Sequence, residues 1–143
     1  MLTREHDGRT ILHMSGPVGA GVGAGLALVM VAPIWLFLSK EAGFDSLAVQ
    51  LGFVGGVYFG FSVAQGSVSE LLIEFFQAGA FMFAAVLALG TDSPGVLAGG
   101  YLAHGVWDAL HHPRAVTTPV RGWYPPFCAV FDVVVAAFVL VRF

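Results

Sequence analysis

The sequence predicts an all-α integral membrane bundle of five transmembrane helices. Three observations carry that expectation: 57% of the 143 residues are apolar and 10% charged, the mean hydropathy is +0.84, and uncharged runs of span length recur along the chain. Soluble domains hold roughly a quarter charged residues, and disorder requires the opposite balance of charge and apolar matter. The 19 glycines follow no three-residue period, which excludes collagen. A net charge of −3 with six Lys and Arg leaves no basic surface for phosphates, so no nucleic-acid partner is expected. The one cysteine, Cys128, has no partner for an internal disulfide.

An N-terminal leader mixes Arg4, Glu5, Asp7 and Arg9, with His6 and His13 expected to be solvated. The first span covers about residues 17–39. That is enough to cross roughly 30 Å of hydrocarbon as a helix and too long for a signal-peptide core. Pro33 inside it should kink the helix and free a carbonyl one turn earlier. A hydrophilic break from Lys40 to Ser46 precedes the second span, 47–66, which is uncharged but carries Gln50 and Gln65. Ser67-Val-Ser-Glu70 has the spacing of a capping box and starts the third, 68–89. Thr91-Asp-Ser-Pro94 supplies a cap and a first-turn proline for the fourth, 94–111, which Pro113 stops. A polar loop then leads to the fifth, 126–142, and all five belong to one membrane domain, residues 1–143.

Five spans put the termini on opposite sides of the membrane. Arg4 and Arg9 then share a side with Arg114 and Arg121, against Lys40 and Arg142, so the positive-inside rule places the N-terminus in the cytoplasm. Trp35, Trp107, Trp123 and Tyr124 lie near span ends, as interfacial aromatics do. Gly19-Ala-Gly21-Val-Gly23-Ala24 fits the letters of a dinucleotide fingerprint, but it lies within a span with no strand before it. Gly19 with Gly23, Gly21 with Gly25, and Gly52, Gly56 and Gly60 have instead the small-xxx-small spacing that lets helices approach in lipid, within the chain or in a homo-oligomer.

The polar residues inside the spans carry the chemistry. Of the nine acidic residues, Glu70, Glu74, Asp108 and Asp132 fall within or at the edge of spans, where no Lys or Arg does except Arg142. A carboxylate in hydrocarbon costs several kcal/mol unless paired, protonated or metal-bound. On a helix turning about 100° per residue, His104, Asp108 and His111 spread over about 60° of the fourth span. Glu70, Glu74 and Gln77 repeat the same spacing on the third, and Cys128 and Asp132 are one turn apart on the fifth. At about 1.5 Å per residue, Glu74 lies about 8 Å, Asp132 about 9 Å and His104 about 12 Å from the cytoplasmic face. Glu70, Glu74, His104, Asp108, His111, His112 and Asp132 can therefore meet in one leaflet, with Ser62 and Gln65 in reach. Three histidines and four carboxylates make the ligand set of a divalent metal, Zn, Fe or Mn, and their carboxylate excess leans towards iron, manganese or a two-metal centre. Glu74 and Asp132 are the candidate catalytic proton acceptors. A plainer assignment gives Glu70 to helix capping, His112 and Arg114 to the interface, Asp108 and Asp132 to hydrogen bonds with histidines, and Cys128 to packing.

His104-Gly-Val-Trp-Asp108-Ala-Leu-His111-His112 resembles the histidine boxes of membrane fatty-acid hydroxylases and desaturases, although the chain has five histidines in all, fewer than those enzymes use. Together with Trp123-Tyr-Pro-Pro-Phe-Cys128 and Asp132, it is also similar to a family of small integral membrane proteins of unknown function, which implies a membrane location and no activity. Three functions compete. The first is a metal-dependent enzyme acting on a lipid or other apolar substrate from the bilayer. The second is a cation or proton transporter. The third is a non-catalytic subunit that binds pigment or haem.

Overall fold

A computed structural model describes residues 2–4, 10–12, 15–112 and 115–143. The expectations for Glu5, His6, Asp7, Arg9, His13, Pro113 and Arg114 lie outside the described residues. Where the sequence suggested only a leader, strands β1 (Leu2–Arg4) and β2 (Thr10–Leu12) pair antiparallel, Leu2 opposite Leu12. Six helical segments follow among the described residues: α1 (Gly16–Phe37), α2 (Lys40–Gly55), α3 (Val57–Gln65), α4 (Val68–Thr91), α5 (Pro94–His111) and α6 (Tyr124–Arg142).

The helix boundaries follow from local chemistry. The Ser67 hydroxyl accepts from Glu70 N at 3.3 Å while Glu70 Oε2 accepts from Ser67 N at 2.7 Å, completing the capping box that opens α4. At the other end Asp92 takes a left-handed conformation, φ 45°, and closes α4. Ser93 caps α5 by accepting from Val96 N at 3.3 Å, with Pro94 in the first turn, where a missing N–H costs nothing. α1 continues through Pro33 to Phe37.

Two expectations are corrected. The break after Lys40 is helix: the Ser39 hydroxyl accepts from Ala42 N at 3.2 Å, and Lys40 and Glu41 lie in the first turn of α2, where polar side chains can leave the apolar zone without ending the helix. The interruption comes later, at Gly56, which divides one 26-residue apolar stretch, Lys40–Gln65, into α2 and α3. The second correction is the count. Among the described residues four stretches, not five, are long and apolar enough to cross a membrane: α1, α2 with α3, α4 and α6. α5 falls short because it carries His104, Asp108 and His111 on a face that the bundle buries.

α5 lies at the centre, packed on α6, α4 and α2. Tyr101 on α5 donates its hydroxyl proton to the Leu47 carbonyl at 2.8 Å, with Gln50 Oε1 at 3.0 Å, and joins α5 to α2. The core runs from Phe44, Leu47 and Leu51 through Phe81 and Ala85 to Leu97, Val135 and Val139. The outer surface is apolar too: Phe37, Phe53, Phe76 and Val141 are among many large exposed hydrophobic side chains, a surface suited to hydrocarbon.

α1 packs chiefly against α6, and the two run parallel: Gly19 meets Trp123, Gly23 meets Phe127, and Trp35 stacks edge-on to Phe138 at 5.9 Å. Residues 16 and 143 therefore lie at opposite ends of the bundle. The Gly19 and Gly23 stripe is used inside the chain, against the carbonyls of Trp123 and Phe127, whereas Gly21, Gly25 and Gly60 have nothing within 4 Å of an added Cβ. Gly23→Ala should therefore push α1 off α6 and lower the melting temperature of the detergent-purified protein, a loss of about 1–3 kcal/mol. Gly21→Ala should leave it unchanged, and equal effects would contradict this packing.

Candidate functional site

Because α5 turns its polar stripe inward, three elements deliver acids to it: α4 brings Glu74, α6 brings Asp132, and α5 itself brings Asp108. The stripe divides along its length. His104 and Asp108 meet Asp132, whereas His111, two turns beyond His104, meets Glu74.

In the first group His104 Nδ1 lies 2.6 Å from Asp132 Oδ2 and 3.4 Å from Asp108 Oδ2. All three residues are at most 2% exposed. Potential ligand atoms from the three lie within 4.8 Å of one another. The hydrogen bonds do not satisfy the group: His104 Nε2 and both oxygens of Asp108 are buried without a partner. Each such atom costs about 1–3 kcal/mol while it stays unpaired.

The second group is fully bonded. Glu74 Oε1 accepts from the Thr118 hydroxyl at 2.6 Å and lies 2.9 Å from His111 Nε2, while Glu74 Oε2 accepts from the Trp107 indole N–H at 3.2 Å. His111 Nδ1 faces the Trp107 carbonyl at 2.9 Å, so Nδ1 carries a proton. The contact between His111 Nε2 and Glu74 needs one further proton. Whichever of the two holds it, the pair has no net charge, which is how a carboxylate can sit here at 0% exposure. Both ring nitrogens of His111 and both oxygens of Glu74 are thus engaged.

The remaining candidates stand apart. Glu70 caps α4 and is only partly buried. His112 is exposed at the end of α5, beside Gly16. Ser62 donates to the Phe59 carbonyl of its own helix at 2.8 Å, and Gln65 is exposed. Trp107, expected at the interface, turns its N–H inward to Glu74.

Sequence reasoning missed Tyr58 and Thr118. The Tyr58 ring stacks on His111 at 3.9 Å between centroids and lies 6.4 Å from His104, and its buried hydroxyl has no partner. Its position depends on the break at Gly56, which no polar periodicity announces. Thr118 is a loop residue, 4% exposed, folded back onto Glu74. Beside His104 and Asp132 lies a cavity of about 170 Å³, walled also by Tyr58, Tyr124, Cys128 and Phe131.

Glu74→Ala would leave the donors on Trp107, Thr118 and His111 unpaired inside the bundle. It should destabilise the protein by about 3 kcal/mol or more, whereas Glu70→Ala, at a partly exposed cap, should cost about 1 kcal/mol. Thermal or denaturant unfolding of the two variants in detergent checks the order, and a larger loss at Glu70 would contradict it.

No curated protein and no solved structure matches the chain. A family model does match, over residues 18–142, which takes in both side-chain groups and the cavity between α1, α3 and α6. The chain belongs to the family of unknown function DUF6010.

Proposed function

We propose that His104, Asp108 and Asp132 hold one divalent metal ion within the bundle, and that the protein is a metal-dependent membrane enzyme acting on a lipid or other apolar substrate. The observation that carries this reading is the unsatisfied Asp108 carboxylate, buried without a hydrogen-bond partner beside a second aspartate and a histidine. With His104 neutral and both aspartates ionised, the three carry two negative charges, which one divalent cation cancels. Among the described residues no Lys or Arg approaches them to do so. Metal–ligand bonds of about 2.1 Å place donors within about 4 Å of one another, and the donors here, within 4.8 Å of one another, need a small inward shift to reach that spacing.

A metal bound in this group supplies a Lewis acid. The chain's own contribution is to hold His104 between two carboxylates, to exclude water with Phe81, whose ring stands edge-on to His104 at 4.9 Å, and to present the group to an apolar cavity. Asp132 both orients His104 and lines the cavity, so it is the carboxylate placed to accept a proton from a bound molecule. Glu74 is better placed to fix α5 and the loop before α6 than to exchange protons, since its oxygens are already taken. Three residues donating oxygen and nitrogen, without thiolate, suit Mn²⁺, Fe²⁺ or Zn²⁺.

Purified wild-type protein should contain, or take up, about one metal ion per chain. Metal held at about 100 times its Kd should stabilise the fold by about 2.7 kcal/mol, read as a rise in melting temperature. His104→Ala and Asp108→Asn should lose that rise, while Glu70→Gln keeps it. A metal-free wild type whose melting temperature ignores Zn²⁺, Mn²⁺ and Fe²⁺ would overturn the reading.

We also propose that the end of the bundle carrying residue 16 and the loop before α6 faces the cytoplasm. Arg121 lies on that loop and, in sequence, Arg4 and Arg9 precede α1, while Lys40 and Arg142 mark the other end. Reporter fusions should be cytoplasmic at the N-terminus and external at the C-terminus, because α1 and α6 run parallel. The same location for both would refute it.

A further inference from the structure

The cavity has two kinds of wall. Its inner end carries His104, Asp132 and Tyr58, whereas its outer wall is Leu26 of α1 with Val54 and Val57 from the elbow where α2 meets α3. Leu26 is 49% exposed, and Val54 and Val57 are partly exposed. Leu26 lies midway along α1, Gly16–Phe37, and Val54 midway along the stretch Lys40–Gln65. The open side of the cavity therefore lies at the depth of the hydrocarbon rather than at either aqueous face. The helix packing leaves it open. α1 is drawn tightly onto α6 through Gly19 and Gly23, and it approaches α2 near their connection, where Ile34 meets Gly43, but it does not pack along α3.

Two residues of the inner end, Tyr58 and His104, each hold a buried polar atom, the Tyr58 hydroxyl and His104 Nε2, that has no hydrogen-bond partner. Tyr58 can donate. Nε2 accepts while Nδ1 keeps its proton towards Asp132, and donates if Nδ1 is bound to a metal. A hydroxyl group both donates and accepts, so it complements the pair in either state, whereas a carbonyl fits only one. An anionic group would meet Asp132. A cavity of about 150 Å³ admits a molecule the size of benzene, so the space of about 170 Å³ takes one end of a chain and not the whole of it.

We propose that this cavity binds the hydroxyl end of an uncharged single-chain lipid alcohol, which enters sideways from the bilayer between α1 and the α2–α3 elbow. That this molecule is the substrate rests on the metal-enzyme reading above; that it binds does not.

The test uses metal-free protein in phosphatidylcholine vesicles, irradiated with a hexadecanol bearing a diazirine close to its hydroxyl end. Mass spectrometry should find label on Tyr58 and on the α6 segment from Tyr124 to Phe131. Unlabelled hexadecanol at about ten times its Kd should lower that labelling about tenfold, and hexadecane should not. Leu26→Trp, which fills the outer wall, should remove the same labels while leaving the background on lipid-facing Phe53 and Phe76. Val57→Trp closes the opening from the other side and serves if Leu26→Trp melts abnormally. Label spread over lipid-facing residues alone, equal competition by hexadecane, or labelling unchanged in both tryptophan variants would overturn the proposal. Metal content and metal-dependent melting, measured on the same preparations, judge the metal reading separately.

Discussion

Every ionisable side chain inside this bundle must be neutralised by another group that is also inside it. Lys40 and Arg142 sit at one end and the exposed Arg121 on the loop at the other, so among the described residues no Lys or Arg side chain reaches the interior acids. Three buried carboxylates, Glu74, Asp108 and Asp132, thus have only histidines, neutral donors and whatever they bind. In a low dielectric an uncompensated carboxylate would cost several kcal/mol, a large share of a small bundle's whole stability. The placement of α5 and the inward fold of Thr118 onto Glu74 follow from that requirement.

Two solutions to the same problem stand side by side. Around Glu74 the protein uses its own donors, those of Trp107 and Thr118, together with one proton shared with His111. Around Asp108 it does not, and the carboxylate is left without a hydrogen bond although suitable residues pack nearby. A group that is merely structural is usually satisfied, as Glu74 is. The contrast, more than the presence of histidines, separates the part of the stripe that holds helices together from the part that is free to bind.

The same constraint explains the helix that is not apolar. α5 has the length of a short span but carries the residues that the others neutralise, and it is tolerated because α2, α4 and α6 cover it. Covering it completely would close the site. α1, attached to α6 by two glycines and splayed from α3, leaves one side of the cavity open between itself and the α2–α3 elbow, so the most peripheral helix bounds the way to the most central one.

Composition and run length by themselves determined that the chain is helical and that its helices suit a membrane, because apolar runs and capping residues act locally: Ser67 with Glu70 and Ser93 with Pro94 set boundaries that neighbours do not alter. Helical spacing likewise placed His104, Asp108 and His111 on one face, and depth brought Glu74 and Asp132 to their level. Only the tertiary structure decided that this face divides, with Asp132 beside His104 and Glu74 beside His111. Partner choice depends on the rotation and offset of α4 and α6 against α5, which are set by packing between helices far apart in sequence. Tyr58 and Thr118 were invisible for the same reason. One is aimed by a helix break at Gly56 and the other by a loop, and neither a break's angle nor a loop's path is written in a periodic pattern.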